Sequence, residues 1–361
     1  MASQEKELQE LKKEVLKEYE EWQIKLREIV SAMQKKSGAI KEVVKDMRLQ
    51  KEDGGVLKND IRILFIILGG AMEGSYGAGQ MLALQEMGYT SLDFLNEKDT
   101  FLGISVGAAI CAFGMTAAKR QALLGTSYFY TICTDNGFIK YNRMKRIVDV
   151  SIIEKALRDT PTRLDVEAIY KNPAQFYVQA YNIKEKVPEF INAKASGVDL
   201  IDAIHASMAI PLVYNQEIII EQSKYSDGGF DDPLPLSRAI NKFKPSHVLI
   251  LPNVTFNQLP AHDPSKIKQK FIDLVPKEGS LGFIRKLLEG RQTLRHTLDK
   301  IAEHHNVKIG VAWPPEIGIQ PLTQDKIKIK TAIKEAARDI FTLFGEKEHV
   351  IKLYEEEYLG E

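Results

Sequence analysis

Ser105 lies in Gly103-Ile104-Ser105-Val106-Gly107, Asp227 opens Asp227-Gly228-Gly229, and Gly69-Gly70-Ala71-Met72-Glu73-Gly74 precedes both. Together these residue types supply what acyl transfer needs. There is a hydroxyl nucleophile, a carboxylate that can take its proton, and a loop whose backbone N–H groups can meet an oxyanion. Thr100-Phe101-Leu102-Gly103 reads as the end of a strand, and residues 108–118, small and apolar, read as a helix. GxSxG between a strand and a helix is the setting of a nucleophile elbow, where Gly103 and Gly107 leave room for a tight turn. The apolar, β-branched run Ile61 to Leu68 reads as a buried strand feeding the glycine loop. Met81, Leu82, Leu84 and Met87 then have helical spacing. A loop between strand end and helix start gathers free N–H groups and favours an anion. A nucleotide phosphate is the rival ligand, but Gly74-Ser75-Tyr76-Gly77 lacks the Gly-Lys-Ser/Thr of a phosphate loop. Taken singly, the glycine run is also compatible with a plain strand-to-helix turn, and Asp-Gly with a hairpin.

The three motifs in this order resemble the patatin-like phospholipases. The stretch His205-Ala206-Ser207-Met208-Ala209-Ile210-Pro211 is similar to the family's Ala-Ser-x-Ala-x-Pro, and the likeness runs from about Ile61 to about Pro315. The subgroup most resembled is a bacterial one with Met in the glycine loop and Asp-Gly-Gly-x-x-Asp-x-x-Pro downstream, here Met72, Asp227, Asp232 and Pro235. The resemblance implies an α/β fold: a patatin-like three-layer α/β/α hydrolase with a mostly parallel central sheet. It implies a Ser105–Asp227 dyad without histidine, and an oxyanion hole from Gly69, Gly70 and Ala71. Gly74, Gly103, Gly107, Gly228 and Gly229 support the motifs. The implied substrate is a lipid or other acyl ester, cleaved through an acyl-serine intermediate, with no cofactor and no metal. On chain order alone a Ser–Asp–His triad stays open. Two residues depart from the family pattern. Ala71 replaces the third glycine, which the loop tolerates if its φ is negative. Glu73 replaces a basic residue, and a carboxylate beside an oxyanion is unfavourable in a low dielectric unless it pairs with a base. A catalytically impaired relative that binds lipid or a partner is therefore a second reading.

The elements that must position these residues are legible as alternating strands and helices. Gln175 to Asn182 and Val248 to Leu251 read as strands, with a helix over Val198 to Ala209. Further helices are expected over Ser237 to Phe243, Phe283 to Glu303 and Ile329 to Phe344, consistent with a parallel sheet covered on both faces. The aromatic group Tyr128, Phe129, Tyr130, Phe138 and Tyr141 is read as core or as the wall of an acyl channel. Asn253 to Ser280 reads as a long polar surface loop or a lid.

Three segments are expected in 361 residues: an N-terminal helical segment and linker over 1–57, the hydrolase domain over 58–322 and a helical extension over 323–361. Leu8, Leu11, Val15, Tyr19, Trp22, Leu26, Ile29 and Met33 form a helical stripe. It is read as packing on its own domain, as self-association through residues 8–33, or as peripheral membrane contact; interleaved charges weaken the last. A third functional reading is an interaction protein run by this helix. Lys+Arg and Asp+Glu are balanced at 49 each, which gives no basic footprint for nucleic acid. Two cysteines, Cys111 and Cys133, are too few for a disulfide framework. The charged N-terminus lacks a signal-peptide core, so the expected location is cytoplasmic, with peripheral membrane contact as a variant.

Overall fold

The computed structural model describes residues 39–52, 61–116, 119–135, 137–140, 148–159, 163–210, 214, 217–259 and 279–346. The stripe over residues 8–33, Tyr141, His262 and most of the expected loop or lid lie outside them. In chain order the elements are a helix over 39–52 (α1), β1 (Ile63–Ile67), α2 (Gly74–Glu86), β2 (Thr100–Ile104), α3 (Val106–Met115) and α4 (Lys119–Asp135). Then come α5 (Ser151–Arg158), α6 (Val166–Lys171), β3 (Gln175–Asn182), β4 (Val187–Asn192), α7 (Leu200–Met208), β5 (Ile218–Ile220) and β6 (Ser223–Asp227). The last are α8 (Leu236–Phe243), β7 (His247–Leu251), α9 (Gly279–Asp299), β8 (Lys308–Val311) and α10 (Lys326–Leu343).

The strands form one sheet of eight in the order β5-β6-β3-β2-β1-β7-β8, with β4 also on β3. β3, β2, β1, β7 and β8 run parallel; β4, β5 and β6 join antiparallel. A parallel sheet covered on both faces needs strands that are apolar throughout. β1 meets this by alternation: Ile63, Phe65 and Ile67 enter the core shared with α1, α2, α3, α7 and α10. Leu64 and Ile66 enter the opposite core, with Leu236 of α8 and Leu294 and Leu298 of α9. The result is the three-layer α/β/α arrangement. Phe65 stacks on Phe101 of β2 with ring centroids 4.5 Å apart. Each such large side chain buried contributes about 1.5–3 kcal/mol.

The first and last of the described helices both join this core. Val43, Val44 and Met47 of α1 are buried in it, and Asp46 accepts from His247 at the start of β7. α10 crosses α2 so closely that a Cβ on Gly79 would lie 2.2 Å from the carbonyl oxygen of Ile333. Among the described residues no helix is long and apolar enough to cross a membrane.

Candidate active site

Sheet register brings the serine and the aspartate together. Ile104, the last residue of β2, pairs with Gln179 of β3; Asp227, the last residue of β6, pairs with Ala180. Two strand ends therefore converge on successive residues of one strand, and Ser105 follows directly from the first. Ser105 takes φ 54° and ψ −128° before α3 begins. Positive φ in a non-glycine residue costs on the order of 1–3 kcal/mol and persists only where the surroundings enforce it. Here the flanking glycines allow the approach. A Cβ on Gly103 would lie 2.3 Å from the Cα of Ala108, and one on Gly107 would lie 2.2 Å from the carbonyl oxygen of Ile67. The Ser105 N–H donates to Ser207 Oγ at 2.9 Å, and Ser207 Oγ donates to the Gln179 carbonyl at 2.6 Å. Ser207, from the Ala-Ser stretch, thus ties the elbow to the β3 residue on which β2 ends.

Asp227 is buried, and the Ser105 hydroxyl lies close enough to its carboxylate to favour the charged form. Asp227 Oδ1 accepts from the Gly229 N–H at 2.7 Å, within the short turn Gly228–Phe230. Burial raises its carboxyl from 3.8 to about 7; Ser105 and the bond from Gly229 oppose the rise, and the nearby Asp231 adds to it. The group thus gains or loses a proton near neutrality, as a proton acceptor for serine requires.

The glycine loop closes the third side. A Cβ on Gly69 would stand 2.9 Å from Ser105 Cβ, so the loop touches the serine directly. Gly70 has φ 146°, and Gly74 opens α2 against Val106. Met72 and Glu73 use their N–H groups on Pro321 and Gly70. Among the described residues none accepts from the N–H groups of Gly69, Gly70 or Ala71. Asn253, just after β7, fixes the loop by accepting from Gly77 N–H and donating to the Leu68 carbonyl. A cavity of about 90 Å³ opens onto Ser105, Asp227 and this loop. None of the described histidines partners Ser105 or Asp227: His205 bonds Tyr214, His247 bonds Asp46 and His304 bonds Ser237.

Residues 65–240 match the family model of the patatin-like phospholipases. The chain carries a patatin-like phospholipase domain. It is similar to the uncharacterized protein YjjU of Escherichia coli K12, 26% identical over 198 residues that make up 52% of this chain and 51% of that one. The chain thus spans about half the length of that relative. Among solved structures it is similar to VipD of Legionella pneumophila, at 12% identity and a TM-score of 0.38, covering 78% of this chain and 66% of the other.

Two positions of the patatin-like domain stand out. Ala71, expected with negative φ, has φ 50°. It holds a glycine's conformation with a methyl group, at a cost of about 1–2 kcal/mol. Glu73 is fully buried in the wall of the same cavity, where its Oε1 accepts from Arg291 of α9 at 2.5 Å and from Gln258 at 3.0 Å. Its Oε2 has no partner among the described residues. Burial raises its carboxyl to about 7, with Arg291 and Gln258 opposing. Arg291, Gln258 and Asn253 lack a local sequence signature, because their importance comes from contacts with residues far away in the chain. Ser207 was signalled only as part of a motif.

Proposed function

We propose that the chain is a serine esterase acting on lipid acyl esters. The observation that carries this is the Ser105 hydroxyl set beside the buried Asp227 carboxylate, next to a loop whose N–H groups have no acceptor among the described residues. Ser105 Oγ attacks the ester carbonyl as Asp227 takes its proton. The oxyanion is met by the N–H groups of Gly69, Gly70 and Ala71, each worth about 3 kcal/mol to the transition state. The tetrahedral adduct collapses with cleavage of the C–O bond, and the proton on Asp227 passes to the departing alkoxide. Water, deprotonated by Asp227, then hydrolyses the acyl-serine. The lipid preference is supported by the family match.

Turnover of p-nitrophenyl butyrate tests this reading. It should disappear in Ser105→Ala, together with labelling by a fluorophosphonate. Asp227 must be ionised to act, so kcat/KM should rise with pH through about 7. Undiminished turnover in Ser105→Ala would refute the assignment.

Glu73 favours a second reading, a protein that binds lipid without turning it over, because its charge lies beside the oxyanion loop. Burial favours the neutral carboxyl, and Arg291, which favours the ion, sets a cation against its charge. A wild-type protein inactive on every ester, yet retaining lipid, would establish the second reading over the first.

A further inference from the structure

A cleft of about 590 Å³ lies at the end of the sheet opposite to Ser105. It forms where the parallel strands begin: Arg62 precedes β1, Thr100 opens β2 and Gln175 opens β3. Ser105 follows the far end of β2, so about 16 Å of strand separates the cleft from the serine. Its volume is in the range of roughly 300–1,000 Å³ in which small ligands are held. Three exposed cations line it, Arg62, Lys98 and Lys242, with the carboxylate of Glu97. None of the three has an ion pair among the described residues. Lys242 faces rings instead. Its ammonium lies 4.7 Å from the centroid of Tyr177 and 5.7 Å from those of Phe190 and Phe243. Burial, and after it the charge of Arg238, hold that ammonium below its usual range, and no carboxylate offsets them.

We propose that this cleft is a second binding site, and that its ligand is a phosphate monoester, free or as the headgroup of a lipid. The charge of the wall selects it. Three cations against one carboxylate leave a surplus of two positive charges. A phosphate monoester carries about −1.5 to −2 near pH 7, whereas a carboxylate or a phosphodiester leaves one cation uncompensated. Arg62 brings a planar fork that can meet two phosphate oxygens at once, and Lys98 and Lys242 bring point charges. The groups are set before a ligand arrives. The rings hold the Lys242 ammonium, which lessens the side-chain freedom lost on binding. The turn that carries Glu97 and Lys98 is fastened on both sides. Gln175 Nε2 donates to the Glu97 carbonyl at 3.2 Å, and Asp99 Oδ1 accepts from the Ile63 N–H, next to Arg62, at 2.7 Å. None of these residues touches Ser105, so the site stands apart from the esterase reading.

The test has two arms on the full chain at low salt: titration calorimetry with glycerol 3-phosphate, and co-sedimentation with phosphatidylcholine vesicles with or without phosphatidic acid. Glycerol 3-phosphate should bind at one site, and glycerol should not. Lys98→Gln and Lys242→Gln should each weaken binding about tenfold, the loss expected for one charge-assisted hydrogen bond. Lys184→Gln removes an exposed cation from the turn between β3 and β4, outside the cleft, and should leave the affinity within about twofold. If thermal unfolding shows that Lys242→Gln has lost its fold with its ring contacts, Lys98→Gln decides. Binding of glycerol 3-phosphate in solution places the phosphate on a free ester. Binding only to vesicles with phosphatidic acid, lost in Lys98→Gln, places it on a lipid. No binding in either arm, binding of glycerol alone, affinity undiminished by the cleft variants, or an equal loss in Lys184→Gln would overturn the site.

Discussion

Replacing Asp227 by Asn should make the protein more stable and nearly inactive. The carboxyl ionises at 3.8 in a free chain and at about 7 in the fold, chiefly because burial disfavours its charge. Between those values the native state holds a proton that the unfolded chain has released. Stability therefore falls as pH rises from about 4 to about 7, and the full penalty remains above 7. The gap corresponds to about 4 kcal/mol, at about 1.4 kcal/mol per pKa unit. That is a ceiling, since the Asn amide must be buried too. About half of it should survive as a gain, roughly 3 °C in Tm for a chain of this size. The gain should be largest near pH 8 and vanish near pH 4. Ester turnover should fall by about 100-fold or more with loss of the general base. Thermal unfolding at four pH values and p-nitrophenyl butyrate kinetics on the same preparations provide the assay. A variant no more stable than wild type at pH 8, or a gain that does not change with pH, would refute the argument from a buried, strained carboxylate.

Three further outcomes are expected. Ala71→Gly should raise stability by about 0.5–1 kcal/mol, the relief of positive φ less the greater freedom of glycine when unfolded; denaturant unfolding measures it. Arg291→Ala should cost about 3 kcal/mol near pH 8 by leaving Glu73 buried without its cation, and less near pH 5 where Glu73 is protonated. Adding Glu73→Gln should restore more than half of the loss in a double-mutant cycle. Removing residues 1–38 should leave a cooperative unfolding transition, whereas removing 1–52 should abolish it by exposing the partners of Val43, Val44 and Met47, a loss of about 5 kcal/mol or more; circular dichroism on both truncations decides.

The parts of the fold that were legible in sequence are those where local pattern and burial agree. β1, β2 and β7 are short apolar runs because both faces of each are covered, and β3 was readable because buried Phe176, Val178 and Ala180 alternate with Tyr177 and Tyr181 at its partly exposed positions. β4 and β8 were not, since their partly exposed residues include Glu189 and Lys308. β6 reads Ser-Lys-Tyr-Ser-Asp, a polar string that becomes a strand only through its pairing with β3 and β5. The site divides in the same way. Ser105, Asp227 and the loop announce themselves through glycines, which mark turns and close approaches. The tether from Glu73 to Arg291 leaves no local trace, and the φ of Ala71 is set by the loop around it rather than by its own preference.

The meeting of β2 and β6 on successive residues of β3 has a consequence for the chain as it is made. Synthesis delivers the elbow early and its proton acceptor much later. The peptide leaving a ribosome therefore carries a serine hydroxyl with no base beside it, until residues 223–227 emerge and dock. Under the proposed mechanism the nascent chain is chemically silent, and reactivity switches on with the closing of the sheet rather than with the exposure of the nucleophile.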